Sequence, residues 1–424
     1  MPRGIYECLN CGHREERDSV EPLLEKSCPV CGGDMILVGY AEGPQTETSP
    51  QEEPAFEVIP PETAGIPKDV EEILNRYYVL EFWRREGDVT VYLVKEILEN
   101  DFEKVLRALE KRHYWAALKK RDGHVLLFVF PAGEVKENNP WLPWVFLLAT
   151  IVTTLMAGYF LALNYIAAMR EFGRPGISNP YLIALSFSVS VMAILGTHEL
   201  GHKIAAAYHG IKATMPYFIP FPFSFIGTLG AVIRIKSPLP TRDAAIDLGV
   251  SGPIAGFLVA IPVTMIGLKL SIVVPPTAVP STGQQFYFGT NLIFELLTRT
   301  VLHVPSNYVV FLHPIAIAGW VGLLVTFLNL IPVAQLDGGH IARAFLSERT
   351  HRYLTLAVAF GLIAMSALWS GWMIWGILVL IIGATGNPGA LDEVSPISKR
   401  RILLAIVAVV IFVLTATPRP MWAS

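Results

Sequence analysis

Residues 181–208, YLIALSFSVSVMAILGTHELGHKIAAAY, combine an apolar run long enough to cross a lipid bilayer with the pattern His198-Glu199-Leu200-Gly201-His202. A segment that spans a bilayer is helical, because its backbone N–H and C=O groups must satisfy one another. Residues four apart lie on one face of a helix, so His198 and His202 can present imidazole nitrogens to one Zn²⁺ ion. Glu199 lies beside them, where it can take a proton from water held at that metal.

This cluster of ionisable groups is costly in a membrane helix unless its members are paired or metal-bound. In a soluble protein the same pattern often occurs by chance, because it fixes only three positions. His198 lies seventeen residues after Tyr181. At about 1.5 Å per residue this is roughly 25 Å into a hydrocarbon core about 30 Å thick. We therefore expect the metal within the membrane, nearer the cytoplasmic face.

The composition indicates a membrane protein. Of the 424 residues, 52% are hydrophobic and 16% are charged, a balance too apolar for an ordinary soluble protein of this length. The net charge of −3 gives no reason to expect nucleic acid as a partner. The apolar excess begins after residue 140, so residues 140–424 are predicted to be a transmembrane domain in the lipid bilayer, with a catalytic core at about 180–345.

Seven apolar runs in this domain predict a multi-pass α-helical membrane protein with six or seven spans, because the fifth and sixth runs are short and adjacent. With a cytoplasmic N-terminus, most basic residues of the connecting loops lie on the inner side, as the positive-inside rule requires. The runs are residues 142–165, 181–208, 246–268, 312–332, 353–369, 371–386 and 402–417.

Two C-x-x-C pairs lie near the N-terminus. Cys8 and Cys11 are separated by sixteen residues from Cys28 and Cys31, a spacing typical of a zinc ribbon in which four thiolates hold one structural Zn²⁺. Residues 1–40 have little core of their own, so we expect the metal to keep them folded. The absence of cysteine elsewhere indicates a reducing, cytoplasmic N-terminus, and no signal peptide is visible. Four free thiols in a disordered tail are the alternative.

Two further segments precede the membrane part. Residues 41–66 hold five prolines and six glutamates without Lys or Arg, which predicts an acidic, Pro-rich, extended linker. Residues 67–135 predict a small α+β cytoplasmic domain with an amphipathic helix and a hairpin at Asp122-Gly123. The buried helix face consists of Phe102, Val105, Leu106 and Leu109. We expect this domain to support or regulate the membrane part, and to be the place where a protein regulator binds.

A catalytic zinc site needs a third protein ligand and one open position. The segment 329–340, NLIPVAQLDGGH, follows the fourth predicted span and reaches the same side of the membrane. Asp337 is the carboxylate that we choose, because Pro332 interrupts the helix and two glycines follow the aspartate. Asn329 can hydrogen-bond the scissile carbonyl or its developing oxyanion from the same wall.

Residues 215–235 follow the catalytic helix and are apolar, with several prolines and glycines, which favours a re-entrant loop or hairpin. Its second half, residues 228–235, can offer a strand edge to an extended substrate, or can simply pack against the helices. His209 and His340 lie close in sequence to the predicted ligands. Either can act as a hydrogen-bond partner of a ligand or lie at the membrane interface, and neither is counted as a ligand.

Taken together, the motifs resemble the site-2 protease family of intramembrane zinc metalloproteases, over roughly residues 180–345. The soluble N-terminal domains bring the chain closest to the archaeal and chloroplast-type branch. The motifs that match are H-E-x-x-H at 198–202, S-G-P-I-A-G at 251–256, N-x-x-P at 329–332 and L-D-G at 336–338.

The resemblance implies a hydrolase that cleaves peptide bonds of membrane-spanning protein substrates, as in regulated intramembrane proteolysis. It implies His198, His202 and Asp337 as ligands of a catalytic Zn²⁺, Glu199 as the general base and Asn329 as a residue that polarises the substrate. Two other functions fit a membrane helix with these residues. A metal-ion transporter also places histidines and carboxylates in membrane helices, although its polar groups would form a chain across the bilayer. An inactive relative would bind membrane clients without cutting them.

Overall fold

The chain divides into two compact units, Met1–Val58 and Ile59–Ser424. In the first, β1 (Arg3–Cys8) pairs antiparallel with β2 (Arg14–Asp18) and with β3 (Met35–Tyr40). The computed structural model describes residues 3–8, 14–18, 30–31, 35–40, 66–121, 123–133, 139–174, 176, 178–275, 286–303 and 308–423.

The predicted zinc ribbon and linker fall largely outside the described residues. Cys11 and Cys28 are not among them, and the side chain of Cys8 is not described, whereas Cys31 is exposed. Of the predicted linker only its last residue, Ile66, is described. Both assignments therefore stay predictions.

The second unit opens with an α+β domain whose elements match the predicted helix and hairpin. Its strands form an antiparallel sheet, and both of its helices pack against this sheet. Phe102, Val105 and Leu109 are buried on the predicted helix face, and Gly123 takes a positive φ of 83° in the hairpin turn. The elements are α1 (Lys68–Tyr77), β4 (Tyr78–Glu86), β5 (Val89–Ile97), α2 (Phe102–Glu110), β6 (Tyr114–Arg121) and β7 (His124–Pro131).

The sheet does not end at the predicted domain boundary near residue 135. Two short strands from the membrane part extend it, β10 (Leu239–Thr241) and β14 (Ala390–Asp392), so that the full order is β10-β14-β6-β7-β5-β4. Both additions are parallel, with Asp392 opposite Leu118. Three-residue strands carry too weak a hydrophobic alternation to be recognised from sequence. We call this six-stranded sheet with α1 and α2 the sheet domain.

Each of the seven predicted spans contains a helix. Three of the helices are long and apolar enough to cross a membrane: α3 (Leu142–Glu171), α4 (Pro180–Tyr208) and α5 (Arg242–Lys269). Two shorter apolar helices are α7 (Pro314–Asn329) and α10 (Gly371–Ala384). The remaining helices are α6 (Leu292–Leu302), α8 (Asp337–Phe345), α9 (Glu348–Ala364) and α11 (Lys399–Thr415).

The hairpin predicted for residues 215–235 is also present. β8 (Tyr217–Pro220) pairs antiparallel with β9 (Thr228–Val232), and α3 and α4 pack beside it. Two more short antiparallel pairs join β11 (Ile272–Val274) to β13 (Val309–Phe311) and β12 (Phe286–Phe288) to β15 (Met421–Ala423).

Helix α5 lies at the centre of the membrane part and packs against α4, α6, α7, α8 and α11. Glycines allow this close packing. A Cβ on Gly201 of α4 would lie 2.5 Å from the carbonyl oxygen of Ser251 on α5, and a Cβ on Gly267 of α5 would overlap the backbone nitrogen of Ala316 on α7. Small residues at such crossings let helix backbones approach closely enough for dispersion to stabilise them.

We expect Gly267→Ala to lower the thermal unfolding midpoint of the purified protein, because the added methyl group must push α5 away from α7, at a cost of about 1–3 kcal/mol. The control is Gly361→Ala on α9, where a Cβ meets nothing within 4 Å. Circular dichroism in detergent measures both midpoints. Equal midpoints for the two variants would show that the α5–α7 contact tolerates separation.

Candidate active site

His198, Glu199 and His202 lie in the second half of α4 and are all buried. Their candidate ligand atoms lie within 4.8 Å of one another. The two Nε2 atoms of the histidines are 3.1 Å apart, as expected for residues one helical turn apart. The structure thus brings together the three residues of the H-E-x-x-H motif.

Asp337 reaches the same point from another part of the chain. Its Oδ2 lies 3.2 Å from Nε2 of His198, and its Oδ1 lies 3.3 Å from Nε2 of His202. Asp337 is the first residue of α8, after the irregular segment that follows α7. Gly338 and Gly339 allow this turn, because a Cβ on either would overlap the backbone of Leu330 to Ala334.

The hydrogen bond of His202 settles which of its nitrogens is available. Its Nδ1 donates to the carbonyl oxygen of Leu248 on α5, at 2.8 Å. The neutral ring then carries its lone pair on Nε2, which faces Nε2 of His198 and the carboxylate of Asp337. A backbone carbonyl that holds the far nitrogen of a histidine is a common way to orient a metal ligand.

The donors fit a zinc ion. Zinc binds nitrogen and carboxylate oxygen at about 2.0–2.2 Å in tetrahedral sites, which places neighbouring ligand atoms roughly 3.3–3.5 Å apart. The separations here, 3.1, 3.2 and 3.3 Å, lie close to that value. Oδ2 of Asp337 is also buried and makes no hydrogen bond among the described residues. A buried carboxylate oxygen beside two imidazole nitrogens is expected where a cation binds.

Asn329 is the last residue of α7, and its Nδ2 lies 3.3 Å from Nε2 of His198. The structure therefore brings together all five residues that were predicted for the catalytic site. If Nε2 of His198 binds a metal, its lone pair is no longer available to Asn329. The amide N–H is then free to donate to another acceptor in the site.

Two glycines of α5 lie against the predicted ligands, within the S-G-P-I-A-G stretch. A Cβ on Gly252 would overlap the imidazole of His202, and one on Gly256 would lie 3.2 Å from Cβ and Nδ1 of His198. The motif could be read from sequence, but the residues that its glycines contact could not. These glycines leave room for both rings between α4 and α5.

The segment that carries Asp337 is held by groups that sequence reasoning missed. Ala334 has a φ of 52°, in the left-handed region that favours glycine. Its N–H donates to Oγ1 of Thr355 at 3.1 Å, and its carbonyl accepts from Nδ2 of Asn387 at 3.0 Å. These two bonds, from α9 and from the segment before β14, help fix the strained turn.

The other histidines take different places. His209 contacts Glu103 and Asp247 and not a ligand. His340 has a buried Nδ1 without a hydrogen-bond partner in the described part of the chain. His313 caps α7 by accepting from the N–H of Ile315. The exclusion of His209 and His340 from the set of zinc ligands stays a prediction.

Known proteins resemble this chain over the same region. A family model described as peptidase family M50 matches residues 186–368. The chain is 30% identical over 327 residues to the probable zinc metalloprotease EGY1, chloroplastic, of Arabidopsis thaliana, which covers 70% of this chain and 58% of the relative. It is 33% identical over 245 residues to the protein of the same name from Oryza sativa subsp. japonica, covering 55% and 41%. The chain thus spans less than two thirds of the length of these relatives.

A solved structure also matches. It is the site-2 protease from Methanocaldococcus jannaschii, at 18% sequence identity, covering 61% of this chain and 86% of that chain. The TM-score is 0.23. No inference about the fold rests on a score this low.

We expect Gly252→Ala to reduce the zinc bound at the site about tenfold, because the new methyl group displaces the His202 ring from its position. The control is Gly196→Ala on the same helix as His202, where a Cβ would approach only Phe218, at 3.9 Å. Elemental analysis measures the zinc content, with His198→Ala as the baseline for zinc held elsewhere. Full zinc content in Gly252→Ala would contradict the assigned role of this glycine.

Proposed function

Residues 186–368 of this chain belong to peptidase family M50, the site-2 protease family, and from that premise we propose that the protein is an intramembrane zinc endopeptidase. Proteins of this family act on membrane proteins within the bilayer. The proposed substrate is accordingly a protein that spans the membrane. The observation that supports this best is the meeting of His198, His202 and Asp337 at the separations of zinc ligands.

We assign His198, His202 and Asp337 as the ligands of the catalytic zinc. Glu199 is the alternative carboxylate, since one of its oxygens lies within 4.8 Å of a nitrogen of each histidine. Asp337 fits better, because each of its two oxygens lies within 3.3 Å of a histidine Nε2. Glu199 then remains available as a base beside the metal, as in other H-E-x-x-H sites.

When bound, the zinc ion supplies Lewis-acid activation of water and of the scissile carbonyl. Glu199 takes the proton from the attacking water and delivers it to the leaving amine. Asn329 donates its amide N–H to the scissile carbonyl oxygen as negative charge develops there. Burial of the site removes competing water, so both groups act at a low local dielectric constant.

A helical substrate must unwind before hydrolysis, because its carbonyl groups are held in internal hydrogen bonds. We propose that the β8–β9 hairpin receives the unwound segment. Within the described residues, β9 has one partner strand, β8, and its other edge can pair with an extended peptide. Strand β9 packs against α4, the helix that carries Glu199. This packing supports the proposal that a peptide bound to β9 would lie close to the proposed base.

The finer topology is also a proposal. The apolar helices indicate a membrane protein, and we propose that it has six or seven spans. Because most basic residues of the loops lie on one side, we also propose a cytoplasmic N-terminus and an active site nearer the cytoplasmic face. Cys8, Cys11, Cys28 and Cys31 are proposed to hold a second, structural zinc on the spacing of the two C-x-x-C pairs. A protein regulator is proposed to bind the soluble N-terminal part.

We expect the purified protein to cleave a single-span substrate in detergent, and Glu199→Gln to lower kcat by at least about 100-fold with its zinc content unchanged, because only the base is lost. Removal of zinc with a chelator should abolish cleavage, and added zinc should restore it. The control Glu348→Gln, a substitution of the same kind at the start of α9, should cleave normally.

Mass spectrometry of the fragments measures the cut. Equal cutting by wild type and Glu199→Gln would exclude the proposed mechanism. Metal uptake into sealed vesicles without any cleavage would instead favour a transporter.

A further inference from the structure

The sheet domain contacts the membrane helices through a buried histidine. His209 directly follows α4, and its side chain is 3% exposed. Its Nδ1 contacts Oε1 of Glu103 on α2 at 2.7 Å, and its Nε2 contacts Oδ2 of Asp247 on α5 at 2.8 Å. One imidazole therefore joins the sheet domain, the catalytic helix and the central helix α5.

Asp247 connects this contact to a metal ligand. Asp247 is next in sequence to Leu248, whose carbonyl accepts the Nδ1–H of His202. Arg401 of α11 binds the same carboxylate in a fork, with Nε at 3.1 Å from both oxygens and Nη2 at 2.8 Å from Oδ2. The first turns of α5 are thus fixed from two sides at the residue before the carbonyl that orients His202.

A second connection leads from the sheet domain to Asp337. Strand β14 pairs with β6, and Lys119 of β6 donates to the carbonyl of Ala390 at 2.9 Å and forms an ion pair with Glu393. Just before β14, Asn387 donates to the carbonyl of Ala334 in the segment that carries Asp337. The sheet thus anchors a segment that reaches the third proposed ligand.

We propose that the sheet domain positions the metal site, with His209 and Asn387 as positioning residues. This inference rests on the proposed function. Neither residue touches a reacting atom. His209 acts through Asp247 and Leu248 on His202, and Asn387 acts through the Ala334 turn on Asp337. If the sheet domain were only attached to the membrane part, its contacts could lie anywhere on the helices. Instead, the contacts of both His209 and Asn387 lie next to groups that hold the proposed ligands.

The charge on His209 supports this role. Burial lowers its pKa, but the hydrogen bonds to Asp247 and Glu103 outweigh burial and raise the pKa to about 9. The imidazolium therefore bridges two carboxylates at neutral pH. Arg107 pairs with Glu103 on the side of α2. The other charged residues that line the same cavity as His209 are Asp101, Arg242, Asp243, Asp392 and Arg401.

The positioning role can be tested with Co²⁺ bound to the full-length, zinc-free protein in detergent. The visible bands of cobalt report the geometry of a nitrogen and oxygen site, and subtraction of the His198→Ala spectrum removes cobalt bound elsewhere. The variants are His209→Gln, Glu103→Gln and Asn387→Ala. The control is His124→Gln, at an exposed position of the same sheet.

We expect the three variants to bind cobalt about 3–10-fold more weakly than wild type and to show shifted bands. Loss of a residue that directly hydrogen-bonds a metal ligand lowers metal affinity about 10–100-fold, and these residues act one contact further out. His124→Gln should match wild type. In the cleavage assay kcat should fall while KM stays unchanged.

The outcomes test the positioning role and the proposed function separately. Wild-type bands and affinity in both Glu103→Gln and Asn387→Ala would overturn the positioning role. If His209→Gln does not yield monodisperse protein, these two variants, which leave the catalytic helix unaltered, decide alone. A wild-type protein without cobalt bands that depend on His198 would instead overturn the proposed function itself.

The pH dependence gives an independent test. Because the folded-state pKa of His209 lies above its usual value of about 6.5, its contribution to stability is fully present below about pH 6.5 and is lost as the pH rises through about 9. The difference in thermal midpoint between wild type and His209→Gln should therefore shrink between pH 7 and about pH 10. A constant difference over this range would show that the charge on His209 plays no part.

Discussion

The side chains of His198, His202 and Asp337 come from two distant segments of the chain. Their nitrogen and oxygen atoms meet within 3.3 Å of one another in a membrane protein. Such a meeting is unfavourable without a cation, because neutral imidazole nitrogens and a carboxylate repel one another and have lost their water. The remainder of the membrane part makes this meeting possible. It has to bring α4, α5 and the start of α8 unusually close, and it has to hold each ring in one orientation.

The close approach of the three helices depends on glycines in α5, because glycine has no side chain. Gly249, Gly252 and Gly256 lie at helical spacing on α5 and face Asp337, His202 and His198 in turn. The same surface that admits the rings also supplies the Leu248 carbonyl that fixes His202. A helix built this way gains little from propensity, since each glycine costs about 1 kcal/mol relative to alanine. Its stability therefore has to come from packing against its neighbours, which explains its central position.

The proximity of the five residues of the candidate active site could largely be predicted from the sequence, whereas the contacts around them could not. His198, Glu199 and His202 lie within one helical turn, so their proximity follows from helix geometry alone. Asp337 and Asn329 were found because proline and glycine mark the break in the helix beside them. By contrast, His209 and Glu103 lie 106 residues apart in sequence and carry no local signal of their contact. The strands β10 and β14 were missed for a related reason, since three residues are too few to show a period of two.

The unpredicted contacts join the sheet domain to the helices that carry the predicted ligands. His209 follows His202 by seven residues, which is two helical turns and about 10 Å along α4. A helix is stiff over this distance, so an anchor at His209 also limits movement of the ligands. A second anchor on α5, through Asp247, prevents the two helices from sliding past each other while the small residues between them provide little interlocking. The glycine surface beside the candidate metal site gives the two helices few interlocking side chains. The ionic contacts at the ends of the helices therefore supply the restraint that this packing lacks.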